Sequence, residues 1–207
     1  RRDFVASSVA AAGWPGTGLV TQAGPLDRAT IPSTGESIAR VGLGTWQTFD
    51  VGADRIRRRA LAETLRVFGA SGASMIDSSP MYGSSESVVG DLVAETGLRD
   101  RLFLATKVWT TGEEAGVDQM SESARRLRAS PIDLMQIHNL VDWRTHLPTL
   151  RSWKEQGRLR YVGVTHYQAG AIDQVATILR AEPLDFVQLN LSVEEPEAAE
   201  RLLGLAA

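Results

Sequence analysis

The chain has 207 residues, of which 43% are hydrophobic and 23% are charged, a composition typical of a globular protein with one sizeable core. Its formal net charge of -3 lacks the basic excess that nucleic-acid binding requires, so we expect a small-molecule partner. The absence of cysteine excludes disulfides, thiolate catalysis and cysteine-ligated metals, and it leaves the redox compartment open.

Residues 1–24 resemble a twin-arginine export signal. Arg1, Arg2 and Phe4 match its Arg-Arg-x-Phe core, a weakly apolar segment follows, and residues 21–23 offer a small-residue cleavage site. A Gly-Trp-Pro-Gly interruption makes the segment too short to span a bilayer, and no other stretch is a candidate span. We therefore expect a periplasmic protein. The alternative is a disordered, alanine-rich arm on a cytoplasmic one.

Strands and helices alternate in the rest of the chain. Turn residues in 31–36 predict a short hairpin, and six apolar runs then predict strands separated by amphipathic helices. The predicted strands are 41–46, 73–77, 102–107, 132–138, 161–165 and 186–191. The predicted helices are 53–70, about 84–94, 117–128, a helix that contains Leu147 and Trp153, 171–180 and 197–207.

Strict alternation predicts an α/β fold with a parallel sheet, either an open doubly wound sheet or a barrel. Polar residues at the ends of several strands favour the barrel, because barrel enzymes draw catalytic groups from several strand ends. A closed (β/α)8 TIM barrel needs eight strands and roughly 250 residues. We therefore expect residues 25–207 to form an incomplete barrel of about six strand-helix units with an N-terminal hairpin. Because the chain lacks an initiating methionine and stops within a predicted helix, we also expect a longer reading frame.

Four ionisable residues stand at or just after the ends of predicted strands: Asp77, Tyr82, Lys107 and His138. If the strands are parallel, all four meet at one rim as an acid-base centre. Lys107 and Lys154 are the two lysines among 22 basic residues, and a lysine that ends an apolar run can have its pKa tuned as an arginine cannot. The structural alternatives are a packing tyrosine, a structural ion pair and a core histidine.

Other motifs carry less information. The segment 42–47 lacks the third glycine of a dinucleotide fingerprint, because Gln47 stands at its position, so a Rossmann site is not expected. The three histidines, His138, His146 and His166, lack close metal-ligand spacing. We therefore expect no metal, with a rim site from His138 and His166 as the weaker alternative.

Five segments together resemble the aldo-keto reductase superfamily: 42–46, 75–86, 105–107, 133–138 and 160–165. The Asp-x4-Tyr-Gly-x-Ser-Glu block that begins at Asp77 is the most specific of them. The resemblance implies a (β/α)8 barrel that binds NADP(H), with NAD(H) as the alternative, and reduces a small aldehyde or ketone. A non-catalytic, regulatory nucleotide-binding relative or an inactive fragment is the alternative function.

The resemblance also implies residue roles. Tyr82 would be the general acid, Lys107 would favour its phenolate, Asp77 would pair with Lys107, and His138 would orient the substrate oxygen. It assigns cofactor binding to Gly44, Thr45, Trp46, Asp77, Thr165, His166 and Gln188, and substrate binding to Trp46, Tyr82, Trp109 and His138. Thr165 and His166 stand where the family commonly has Ser-Asn. The physiological substrate and the oligomeric state stay open.

Overall fold

The computed structural model describes residues 25–194 and 196–206, and the predicted export segment lies outside this part. Within the described part the chain forms eight strands and six α-helices. The strands are β1 Arg28–Thr30, β2 Ser37–Ala39, β3 Gly42–Gly44, β4 Met75–Asp77, β5 Phe103–Val108, β6 Ile132–Ile137, β7 Leu159–His166 and β8 Phe186–Leu189. The helices are α1 Arg55–Ala70, α2 Ser85–Thr96, α3 Glu113–Leu127, α4 Trp143–Glu155, α5 Ile172–Ala181 and α6 Glu197–Ala206.

The main sheet is parallel, and its strands follow the chain order from β3 to β8. A helix follows each strand, which is the repeating unit of a (β/α) barrel. β1 and β2 form a separate antiparallel hairpin, with Arg28 opposite Ala39. The prediction of an incomplete barrel with an N-terminal hairpin is therefore confirmed. In the described part of the chain, no helix combines the length and the apolarity that a bilayer crossing needs.

The ends of the helices follow from local chemistry. Asp54 caps α1, because its carboxylate accepts hydrogen bonds from the backbone N–H groups of Ile56 and Arg57 at 3.0 and 3.1 Å. The helix therefore begins at Arg55, two residues after the predicted start. Its buried face carries Ala62, Leu65 and Gly69, which recur at helical spacing.

The strands place different residues on the two faces of the sheet. β5 and β6 are buried at every position, because helices cover the outer face and the barrel interior covers the inner one. Successive side chains of a strand point to opposite faces, so Phe103, Ala105 and Lys107 share the inner face of β5. The apolar side chains at the amino ends of the strands form a small inner cluster, here called the apolar floor: Ile31, Phe103, Ala105, Leu134 and Tyr161.

The N-terminal hairpin lies against the apolar floor. Its Ile31 is part of the floor, and its Thr34 hydroxyl lies 2.7 Å from the Tyr161 hydroxyl. Tyr161 also donates a hydrogen bond to Glu36 at 2.5 Å, and Arg160 pairs with the same carboxylate. The hairpin thus occupies the amino end of the barrel, which leaves the carboxyl ends of the strands for the polar residues.

Candidate active site

A buried ion pair lies at the carboxyl ends of β4 and β5. Lys107 is only 2% exposed, and its Nζ donates hydrogen bonds to Asp77 Oδ2 at 2.6 Å and to the Ser78 carbonyl at 2.7 Å. Burial lowers the pKa of Lys107, and the negative charge of Asp77 opposes this effect. A buried ammonium is tolerated only when it is paired and hydrogen-bonded, and this pair meets both conditions.

Two carboxamides hold the other side of Asp77. Gln136 Nε2 donates to Asp77 Oδ1 at 3.2 Å, and Gln188 Nε2 donates to Asp77 Oδ2 at 3.3 Å. The carboxylate is therefore fixed from β5, β6 and β8 at once. Gln136 is absent from the residues that the sequence predicted. Its signal was a polar residue inside an apolar strand, two positions before His138 and so on the same face.

Tyr82 lies in the loop that follows β4, above the ion pair. The Nζ atom of Lys107 is 5.1 Å from the centroid of the Tyr82 ring. Burial and the negative charge of Asp77 raise the pKa of Tyr82 to about 12. Because burial is the larger of these two causes, the phenol keeps its proton at neutral pH.

A contact between two loops fixes the Tyr82 loop. Asp50 Oδ1 accepts hydrogen bonds from the backbone N–H of Ser84 at 2.9 Å and from its hydroxyl at 2.7 Å. Gly83 has a φ of +58°, and a Cβ there would lie 2.4 Å from Asp50 Oδ2. Only glycine fits this position without a shift. The Ser84 side chain therefore binds Asp50 and makes no capping bond to α2.

His138 follows β6 and faces three neighbours. Its Nδ1 lies 3.3 Å from Ser79 Oγ, its ring meets the Tyr82 ring edge-on at 6.2 Å, and the Trp109 ring lies 6.4 Å away. Burial, and after it the positive charge of Lys107, lowers the pKa of His138 to about 4. The imidazole is therefore neutral at pH 7, and Nε2 is the nitrogen left for a substrate oxygen.

A cleft of about 590 Å³ opens above these side chains. Seven predicted site residues line it: Trp46, Tyr82, Lys107, His138, Thr165, His166 and Gln188. Four lining residues were not predicted: Asn139, Tyr167, Leu189 and Asn190. Trp46 lies at the edge of the cleft and is 64% exposed. Asp77 lies beneath the cleft, bonded to Lys107.

Besides Asp77, three predicted site residues lie outside the lining. Gly44 pairs with Asp77 in the sheet register. Thr45 is buried, and its hydroxyl donates to the Asp77 carbonyl at 3.1 Å and to Ser78 Oγ at 3.0 Å, so it holds the strand ends together. Trp109 is 38% exposed and lies beside His138. The structure thus gathers Asp77, Tyr82, Lys107 and His138, and it places these three around them.

One wall of the cleft, here called the far wall, is formed by Thr165, His166 and Gln188. It offers both hydrogen-bond donors and hydrogen-bond acceptors. His166 Nδ1 accepts a hydrogen bond from the backbone N–H of Gln168 at 3.1 Å, so the proton of the neutral ring is on Nε2. Burial lowers the pKa of His166, which favours this neutral form. The Thr165 hydroxyl and the Gln188 carboxamide line the same cleft. This donor and acceptor set fits the carboxamide of a nicotinamide ring.

His146 lies apart from the other two histidines. Its ring is fully buried, and its Nε2 donates a hydrogen bond to the Thr110 carbonyl at 2.7 Å, away from the cleft. Within residues 25–194 and 196–206, no three histidine, aspartate or glutamate side chains gather in an arrangement that could hold a metal ion.

A parallel sheet with helices outside and ionisable side chains gathered at its carboxyl ends is the architecture of a (β/α) barrel. Residues 40–207 match the model of the Aldo/keto reductase family. The chain therefore belongs to the aldo/keto reductase family.

Curated relatives and solved structures agree with this family. The chain is 29% identical over 196 residues to Aldo-keto reductase YhdN of Bacillus subtilis, an alignment that covers 87% of this chain and 58% of the relative. It is 32% identical over 136 residues to Methylglyoxal reductase YeaE of Escherichia coli, which covers 63% and 46%. The chain thus spans about half the length of the curated relatives it matches.

Two solved structures illustrate the likeness. An aldo/keto reductase from Klebsiella pneumoniae in complex with NADP and acetate is 27% identical, with a TM-score of 0.57, and the match covers 67% of this chain and 50% of that one. The thermostable aldo-keto reductase Tm1743 shares the fold with a TM-score of 0.70 at 24% identity, over 85% of this chain and 66% of that one.

Proposed function

We propose that the protein reduces a small aldehyde or ketone to the alcohol, with NADPH as the hydride donor and Tyr82 as the general acid. One observation carries the proposal, namely the buried Asp77–Lys107 pair with Tyr82 above it and His138 beside Tyr82. Membership of the aldo/keto reductase family supports it, as does the Klebsiella relative, which is in complex with NADP. NADH is the alternative cofactor.

The far wall of the cleft would hold the cofactor's amide end. Thr165 and His166 Nε2–H can donate hydrogen bonds to its oxygen, and Gln188 can accept one from its nitrogen. Trp46 follows β3, and β3 lies on the other side of Asp77 in the sheet order from the strands that carry Thr165, His166 and Gln188. When bound, a reduced nicotinamide supplies the hydride that the carbonyl carbon accepts.

Tyr82 would transfer the phenolic proton to the carbonyl oxygen. Its raised pKa keeps that proton in place at neutral pH, and the Lys107 ammonium stabilises the phenolate that forms on transfer. Asp77 holds the ammonium in position. His138, which is neutral, would donate a hydrogen bond from Nε2 to the same oxygen and orient it.

Tyr82→Phe tests the assignment in the protein expressed from its complete reading frame. Removal of the acid should lower kcat for NADPH oxidation with a generic aldehyde by about 10²- to 10⁴-fold. Cofactor affinity, measured by fluorescence titration, should not change. Tyr161→Phe removes a tyrosine hydroxyl from the apolar floor and serves as the matched control, with kcat retained.

Unchanged turnover in Tyr82→Phe would contradict the role of Tyr82. A protein that binds NADPH and reduces none of a panel of aldehydes and ketones would instead support the regulatory alternative. The two results can be told apart. The first requires a wild type that reduces the aldehyde, whereas in the second the wild type itself reduces no substrate.

A further inference from the structure

The loop between β5 and α3 is held by a side chain ten residues further along the chain. The backbone N–H of Trp109 donates a hydrogen bond to Gln119 Oε1 at 2.5 Å, and Gln119 Nε2 donates one to the Trp109 carbonyl at 3.2 Å. A carboxamide presents one acceptor and one donor in the same plane, so it can satisfy both backbone groups of one residue. Gln119 thus replaces the strand partner that Trp109 lacks beyond the end of β5.

The rest of this loop is tied to the start of α4. His146 Nε2 donates to the Thr110 carbonyl at 2.7 Å, and the Gly112 N–H donates to Asp142 Oδ2 at 2.8 Å. The His146 ring packs so closely on Gly116 that a Cβ there would lie 2.6 Å from the ring Cε1. The loop 109–112 therefore has fixed backbone partners on both α3 and α4.

The loop matters because the Trp109 ring lies beside His138. The two ring centroids are 6.4 Å apart at an interplanar angle of 58°. Ser79 and Tyr82 are the other neighbours of the imidazole, at 3.3 Å from Nδ1 and 6.2 Å between ring centroids. Trp109 is 38% exposed, so its indole also presents an aromatic surface to solvent next to His138.

We propose that Gln119 is a positioning residue that fixes Trp109, for which substrate contact is already predicted, and, through Trp109, the orientation of His138. Loss of this support should weaken binding of carbonyl compounds that carry a flat aromatic group, because such a group can stack on the indole. This inference rests on the proposed carbonyl reduction. Gln119 touches no reacting atom and acts only through Trp109.

The functional test uses Gln119→Met, which keeps the length of the side chain and removes both hydrogen bonds. In the protein expressed from its complete reading frame, kcat/KM for benzaldehyde should fall by about tenfold to a hundredfold, and kcat/KM for propanal should fall less. In a Trp109→Ala background the same substitution should change neither value further. Gln174→Met, at an exposed position of α5, is the matched control and should leave both values unchanged.

Two results would overturn the inference. The first is an equal fall for both aldehydes. The second is a full effect of Gln119→Met in the absence of Trp109, because the side chain would then act by another route.

A second measurement does not depend on carbonyl reduction. In protein labelled with 5-fluorotryptophan, the Trp109 resonance is identified by its loss in Trp109→Phe. Gln119→Met should shift and broaden this ¹⁹F resonance, whereas Gln174→Met should not. A Trp109 resonance that is unchanged in Gln119→Met would overturn the role of Gln119, whether or not the protein reduces aldehydes.

Discussion

At the scale of single residues, surroundings rather than residue type set the charges in this site. His138 is neutral because it is partly buried near Lys107, and Tyr82 keeps its proton because it is buried near Asp77. Burial is the larger cause of both pKa shifts, and the ion pair adds to it, because Asp77 raises the pKa of Tyr82 and Lys107 lowers that of His138. In the proposed reaction, both groups are hydrogen-bond donors at pH 7.

The lowered pKa of His138 predicts a specific loss of stability in acid. The pKa falls from 6.5 in the unfolded chain to about 4 in the folded one, so the unfolded state binds the proton first as the pH drops. The contribution of His138 to stability is therefore present above pH 6.5 and is lost as the pH falls towards about 4. Urea unfolding between pH 4 and 8 should show a smaller acid loss in His138→Gln than in the wild type. Identical pH dependence in the two proteins would contradict the shift.

The sequence predicted the members of the acid-base cluster but not their supports. Asp77, Lys107 and His138 could be placed together because the carboxyl ends of parallel strands share one edge. The contact of Asp50 with Ser84 could not be predicted, because it joins two loops whose paths depend on the packed barrel. The direction of the Tyr82 pKa shift likewise depends on burial, which a linear sequence does not give.

At the scale of elements, the sequence predicted every strand and helix of the main sheet, and it missed their ends by a few residues. The largest error is α3, which begins at Glu113 rather than at residue 117. The prediction followed apolar spacing, and the first turn is instead favoured by Glu113 and Glu114, whose charges suit the positive end of the helix dipole. Gly112 precedes them with a φ of +87° and donates to Asp142. Apolar periodicity in a sequence predicts the packed middle of a helix, whereas the capping residues determine where the helix begins.

Two helical glycines should respond to alanine with opposite signs. A Cβ on Gly90 in α2 would lie 2.1 Å from the Arg126 carbonyl of α3, so Gly90→Ala should destabilise the protein by about 1–3 kcal/mol. A Cβ on Gly204 in α6 would meet nothing within 4 Å, so Gly204→Ala should stabilise it by up to about 1 kcal/mol. Urea unfolding of the two variants measures both. A Gly90→Ala variant as stable as the wild type would show that α2 and α3 do not need this close approach.

At the scale of the whole molecule, the sheet separates two apolar regions. The larger one lies between the sheet and its helices, and the apolar floor lies inside the barrel against the hairpin. The sequence predicted both the hairpin and the barrel. It did not predict that they share a core, because the contact of Ile31 with Tyr161 and its neighbours joins segments about 130 residues apart. The hairpin is therefore part of the folded barrel interior.

The shared core predicts that one hairpin residue matters for global stability. Ile31 is 3% exposed, and Ile31→Ala should lower the free energy of unfolding by about 2–5 kcal/mol because it leaves a cavity in the floor. Ile56 in α1 is 84% exposed, and Ile56→Ala should change stability by less than about 0.5 kcal/mol. Chemical denaturation compares the two. A cost for Ile31→Ala as small as that for Ile56→Ala would mean that the hairpin is dispensable.

The apolar floor also gives the ion pair an asymmetric dielectric environment. Hydrocarbon side chains lie on the amino-end side of Asp77 and Lys107, and the cleft lies on the other. Low-permittivity walls direct electric field lines towards the open end of a site. The apolar floor thus keeps ions away from the amino-end side of the pair, so dissolved salt and charged ligands influence the pair mainly through the mouth of the cleft.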